Sequence, residues 1–135
     1  EDLSASIKGR SNITNYLREI LQNADKEVII CTNAEDISLK LKLFQQTLED
    51  LSKNDIKVKI ALSGDEKLIK KIEKVLSIKI KKISVDSKFF IVDKKEILFY
   101  LSKNSGPEDS AIWLNSEFFA QAFAALFDKA VEGGN

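Results

Sequence analysis

The sequence predicts a layered α/β domain, a mixed β-sheet flanked by helices, and three observations carry that prediction. Segments with apolar residues at three- and four-residue steps alternate along the chain with short β-branched runs. One such run, EVIICT at 27–32, is almost continuously apolar, which suits a strand covered on both faces. At 135 residues the chain can bury one core and has little room for a second, so residues 1–135 are read as a single domain.

Each element follows from its local pattern. The opening DLSASIKG places Leu3, Ala5 and Ile7 on one side of an alternating segment that stops at Gly9, a short strand. From Ser11 the spacing becomes helical, with Ile13, Leu17, Ile20, Leu21 and Ala24 on one face and Ser11 or Asn12 as the cap. After EVIICT, Asp36 is the expected cap of a second helix, along which Ile37, Leu41, Phe44, Leu48 and Leu51 form one stripe. Leu39 and Leu43 lie off that stripe, which suggests a second covered surface.

Asn54 and Asp55 turn the chain into IKVKIAL, a strand with Ile56, Val58 and Ile60 inward and lysines outward. Ser63-Gly64-Asp65 breaks it. Leu68, Ile69, Ile72, Val75 and Leu76 then trace a shorter helix whose lysine-rich side is solvated. From Ser77 three strands are expected, SIKIKKISV, KFFIVD and EILFYLS, the last two joined as a hairpin by the polar turn Asp93 to Glu96. A loop around Pro107 leads to the strand SAIWL. A final helix from about Ser116 spreads Phe118, Phe119, Ala122, Phe123, Leu126, Phe127 and Ala130 over a broad apolar face.

Composition narrows the chemistry. Twenty-one basic and 21 acidic residues leave no net charge, so no general attraction to nucleic acid is implied and a partner must be recognised locally. Histidine is absent, which removes the commonest general base, metal ligand and phosphoryl-accepting side chain together. Neither a metal nor another cofactor is expected. The single cysteine, Cys31, sits inside EVIIC and reads as a buried thiol. No apolar run approaches the length of a membrane span and no signal-peptide pattern opens the chain, so a cytoplasmic protein with no membrane partner is expected. Methionine is missing, position 1 included, which points to a piece or processed form of a longer chain.

Polar residues gather where strands end. Asp86 and Lys88 open one strand and Asp93 closes it, while Ser102, Lys103 and Asn104 follow the next strand into a loop. Ligands of open α/β sheets sit at such edges. On spacing alone the simplest reading is that Asp93 starts a turn, Lys88 points to solvent and Ser102 to Asn104 are loop residues. Thr32 and Asn33 end EVIIC and can reach the same edge. Trp113 reads as a core or rim aromatic, and Arg10 as a partner of a helix or strand terminus.

The segment DSKFFIVD followed by LSKN resembles the phospholipase D superfamily signature. That signature is a histidine, a lysine two residues on and an aspartate five beyond it, followed by a turn carrying Ser-x-Asn. Lys88 matches the lysine, Asp93 the aspartate, and Ser102 and Asn104 approximate the serine and asparagine. Asp86 stands where the nucleophilic histidine belongs. A carboxylate approaching an anionic phosphodiester meets repulsion and lacks the imidazole's proton relay, so the superfamily's histidine mechanism is excluded.

A narrower resemblance covers nearly the whole chain. SIKGRSNITNYLREILQNADKEVIICT is similar to the start of the regulatory domain in TrmB-like transcriptional regulators of archaea, and SAIWLNSEFFAQAFAALFDKAVE to its closing strand and helix. The resemblance implies a phospholipase-D-like domain without full catalytic residues, following a winged-helix DNA-binding domain and a dimerising helix. Longer members add a sugar-binding β domain after it.

It follows that this chain is expected to be a non-catalytic regulatory and dimerisation domain. DNA would be contacted only through a domain outside it, and a small-molecule effector is a candidate ligand. Asp86, Lys88, Asp93, Ser102 and Asn104 are the candidates for ligand binding or for facing their symmetry mates across a homodimer interface, with Lys88 paired to Asp86 or to an anion. Two alternatives stay open: a divergent phosphodiesterase or nuclease using another nucleophile, and a protein-interaction module built on the helices from Ile37 to Leu51 and Phe118 to Ala130.

Overall fold

The computed structural model describes residues 3–102 and 107–133. The elements run β1 (Ser4–Lys8), α1 (Arg10–Gln22), β2 (Glu27–Asn33), α2 (Ala34–Leu39), α3 (Leu41–Lys53), β3 (Lys57–Ser63), α4 (Glu66–Leu76), β4 (Lys81–Lys82), β5 (Phe89–Val92), β6 (Glu96–Tyr100), β7 (Ser110–Asn115) and α5 (Glu117–Gly133). The strands form one sheet in the order β1-β7-β6-β5-β2-β3-β4. β2 pairs in parallel with β3, and β3 with β4; the remaining pairings are antiparallel. The expected mixed sheet flanked by helices is therefore present.

The two-residue period of β2 divides the core. Val28 and Ile30 face the layer of α1 to α4 together with Phe90, Leu98 and Phe44, whereas Ile29 and Cys31 face α5 together with Phe89, Ile91, Ile97 and Phe127. Every residue from Val28 to Thr32 is buried, as a central strand between two helical layers requires. Each large side chain fully buried here is worth about 1.5–3 kcal/mol of transfer free energy.

Several sequence expectations are corrected. The helix expected from Asp36 to Leu51 is two helices, broken at Lys40, where the backbone leaves helical geometry at φ −117° and ψ 28°. Asn33, not Asp36, caps the first of them, its Oδ1 accepting the Asp36 N–H at 2.8 Å. Off the stripe, Leu39 is exposed and Leu43 only half-buried.

The strand expected at SIKIKKISV shrinks to Lys81–Lys82. Ile78 and Ile80 donate their N–H groups to Glu73, through its carbonyl at 3.4 Å and its carboxylate at 2.8 Å, so α4 holds that backbone. Ile80 then faces the α1–α4 layer while Ile83 faces α5, a switch of phase across the two lysines.

In α5, Phe119, Ala120, Phe123, Ala124 and Phe127 pack on the sheet, but Phe118, Ala122 and Leu126 are exposed because a single helix turns only one face to a sheet. Val75 of α4 is likewise exposed. Finally, Lys59 does not simply point outward. It lies half-buried between Glu27, at 3.7 Å, and Asp128 of α5, at 3.5 Å.

The β5–β6 hairpin forms as expected. Asp93 and Lys94 both take left-handed backbone angles, φ 55° and 52°, the pair of positive values that a type I′ turn uses. Gly9, at φ 94°, joins β1 to α1 and donates its N–H to the Asp109 carbonyl at 2.8 Å. That bond ties the start of α1 to the entry of β7.

Candidate functional site

The site grows from the end of β2. The side chain of Asn33 starts α2, which puts Asp36 on the inner side of its first turn. There the carboxylate is buried, 2% exposed, and must be compensated. Its Oδ2 accepts from Thr32 Oγ1 at 3.1 Å, and its Oδ1 lies 3.2 Å from Lys40 Nζ and 3.9 Å from Lys88 Nζ. Lys40 arrives through the one-turn spacing of a helix, Lys88 from the residue before β5.

Tyr100 completes the cluster from β6. Its N–H donates to the Lys88 carbonyl at 2.9 Å, so the two residues are neighbours across the hairpin. Its ring centre lies 5.2 Å from Lys88 Nζ and 5.5 Å from Lys40 Nζ, within cation–π reach of both. Lys40 Nζ also donates to its hydroxyl at 3.3 Å. Burial, with the Asp36 and Asp109 carboxylates beside it, pushes the phenol well above its ordinary range.

Asp109 is a second buried carboxylate, and it accepts from Ser102 Oγ at 2.8 Å. Two ammonium groups and two carboxylates around one phenol leave the cluster electrically balanced. Among the described residues no buried side-chain nitrogen or oxygen lacks a hydrogen-bond partner.

The sequence-predicted residues separate into groups. Lys88 is at the centre of the cluster and 6% exposed, which overturns the reading that it points to solvent. Ser102 touches the cluster through Asp109. Asp86 is exposed, just ahead of β5. Asn104 lies outside the described residues, as does Lys103.

Asp93 lies at the other end of the hairpin, roughly 16 Å from Lys88 at strand spacing. Its Oδ2 accepts the Asp25 N–H at 2.9 Å, and its Oδ1 accepts those of Lys26 at 2.7 Å and Glu27 at 2.9 Å. Burial works against its charge, but these three backbone donors and Lys95 outweigh it and hold the carboxyl below its ordinary range. Asp93 therefore clamps the entry of β2.

Sequence reasoning missed Asp36, Lys40, Tyr100 and Asp109. Two signals pointed to the first pair: Asn33 three residues before Asp36 is itself a strong cap, and Lys40 four residues after it is an ion-pair spacing. Thr32 does reach the same edge as Lys88, as expected. Cys31 is buried on the α5 side, and burial pushes its thiol up to about 11 despite a hydrogen bond from Ser87.

Among the described residues no group of three or more His, Cys, Asp or Glu side chains is placed to hold a metal ion, and no helix is long and apolar enough to cross a membrane.

In three dimensions the chain is similar to TrmBL2, an archaeal chromatin protein whose structure shows a novel mode of DNA binding. The TM-score is 0.73 at 17% identity, over 99% of this chain and 54% of that one. This chain thus spans about half the length of the TrmBL2 chain. It is similar to Nuc, a phospholipase D family member from Salmonella typhimurium, with a TM-score of 0.71 at 15% identity over 98% of this chain and 97% of that one. It is also similar to NucT from Helicobacter pylori, with a TM-score of 0.71 at 15% identity, covering 96% of this chain and 95% of the other. At such identities the likeness is one of fold alone, a phospholipase D-like arrangement of a mixed sheet flanked by helices. No curated protein sequence matches. The family model described as transcriptional regulator TrmB, EBD N-terminal subdomain, matches residues 5–131. The chain belongs to the TrmB family of transcriptional regulators, as the N-terminal subdomain of the effector-binding domain.

Proposed function

We propose that this regulatory domain is non-catalytic and pairs with a second copy of itself, and that it acts in the cytoplasm on DNA-binding elements outside this chain. The observation that carries the proposal is the state of Lys88. The lysine of the superfamily motif is buried and ion-paired to Asp36 in a balanced cluster, while Asp86 occupies the place of the nucleophile. Opening Lys88 to a phosphodiester would separate it from a buried carboxylate, which is costly.

Pairing is favoured by what flanks the cluster. Leu39 next to Lys40, Leu101 next to Tyr100 and Val85 three residues before Lys88 are 78%, 58% and 47% exposed. Aliphatic side chains around a polar centre suit an isologous contact in which each copy presents the same edge, with Asp86 and Ser102 at its rim. A small-molecule effector bound at this edge would then act by altering that contact.

The test of the non-catalytic reading is hydrolysis of bis(p-nitrophenyl) phosphate and of DNA by the purified chain. No turnover is expected, in the parent chain or in Lys88→Ala. Turnover that disappears in Lys88→Ala would establish an enzyme instead.

A further inference from the structure

The chain as a whole is neutral, but its charge is not evenly spread. Residues 66–82 contain seven lysines and two glutamates, a local excess of five positive charges in a chain whose net charge is zero. All seven, Lys67, Lys70, Lys71, Lys74, Lys79, Lys81 and Lys82, are exposed. Four of them share the outer face of α4, opposite the buried Ile69, Ile72 and Leu76. Of the other three, Lys82 of β4, the edge strand of the sheet, lies beside Glu66 of α4, whereas Lys79 and Lys81 line a cleft on the α5 side together with Asp128 and Glu132. Both glutamates are engaged: Glu66 with Lys82 at 2.9 Å, and Glu73 with the Ile80 N–H at 2.8 Å.

Stability does not call for this arrangement. Lys67 and Lys71, like Lys70 and Lys74, are one-turn pairs of like charge, and such pairs weaken a helix. Four mutually repelling cations held on the outer face of one helix are relieved by a polyanion.

We propose that the outer face of α4, with Lys82 beside it, is an auxiliary contact for the phosphate backbone of double-stranded DNA. Lys67 to Lys74 span about 10 Å of helix, the axial length of about three phosphates on one strand. Contacts from lysines to phosphates position a protein on the duplex and carry no sequence information by themselves. A membrane surface fits less well, because the only large exposed apolar side chain in the stretch is Val75 and no aromatic residue could anchor it. Single-stranded nucleic acid fits less well for the same lack of a stacking ring. Near-neutral composition argues that the main DNA contact lies elsewhere; this face adds to it. The regulatory reading enters only in the choice of duplex DNA among polyanions.

The experiment is fluorescence anisotropy of a labelled duplex of roughly 20 base pairs and arbitrary sequence, titrated with the chain over a salt series. Binding is expected at low salt and should weaken about a hundredfold between about 50 and 200 mM. The combined Lys70→Gln, Lys71→Gln and Lys74→Gln variant should lose about tenfold or more in affinity and flatten the salt slope by about three. The three arginine replacements should bind like the parent. A control with the same charge change on other exposed lysines, Lys42→Gln, Lys53→Gln and Lys129→Gln, should bind within about twofold of the parent. Absence of binding at low salt, equal loss in the two glutamine variants, or binding to phosphatidylserine vesicles without binding to the duplex would overturn the proposal. A chain that is monomeric yet binds duplex DNA through these lysines would count against self-pairing and not against this contact.

Discussion

Asp36 Oδ1 and Lys88 Nζ lie 3.9 Å apart in the interior, joining the first turn of α2 to the residue that opens β5. Breaking a buried pair by removing one partner leaves an uncompensated charge, which typically costs about 3–5 kcal/mol. Asp36→Ala should therefore lower the urea midpoint by about 3 kcal/mol equivalent, because it strands both Lys40 and Lys88. Asp36→Leu combined with Lys88→Met should recover part of that loss. A recovery of zero in the double variant would mean that the two residues are not coupled.

Asp93 should behave differently. Its carboxylate accepts three backbone N–H groups at the start of β2, so Asp93→Ala is expected to cost about 2 kcal/mol. Alanine also fits poorly at φ 55°. Asp93→Asn, which tolerates that angle and keeps one oxygen, should cost less. Because the folded carboxyl titrates below its ordinary value of 3.8, its contribution is full above that pH and is lost as the pH falls through the folded value. Stability curves of parent and Asp93→Asn should converge below about pH 4.

The phenol of Tyr100 is raised above its ordinary value of 10.0 by burial and two carboxylates. A group whose folded value is raised adds stability that is complete below the unfolded value and declines as the pH climbs past it. Tyr100→Phe should thus remove absorbance change that the parent shows only above pH 10 or on unfolding. A difference between the two titrations below that pH would contradict the buried placement.

Cys31 is shielded in the same way on the opposite face of the sheet. With its thiol near 11 and no exposed surface, it should react with Ellman's reagent only as fast as the chain opens. Immediate labelling of the native protein would place Cys31 outside the core.

Much of the fold was legible because burial imposes periods on sequence. Ile13, Leu17, Ile20 and Leu21 name the inner face of α1, and the unbroken run of β2 announces two covered faces. The failures have local causes. SIKIKKISV alternates correctly for Ile78 and Ile80, yet Glu73 takes their N–H groups and leaves only two residues to pair. Phe118 and Leu126 look buried because sequence records apolarity and not how much of a helix one sheet can cover.

The site was half legible. Lys88 stood out through its motif spacing, but a buried aspartate inside a first turn reads as a cap, and Asp36 took that reading. Only folding brings Lys40, Lys88 and Tyr100 to it from three elements. Asp93, which the motif groups with Lys88, is set apart by the length of the hairpin.

Light scattering on the purified chain tests self-pairing at the Lys88 edge most directly. A mass of two chains is expected, against 15.2 kDa for one. Leu39→Glu with Leu101→Glu should reduce it to one without unfolding the protein, since both side chains are exposed. A monomer at high concentration, or a dimer indifferent to those two substitutions, would contradict pairing through this edge.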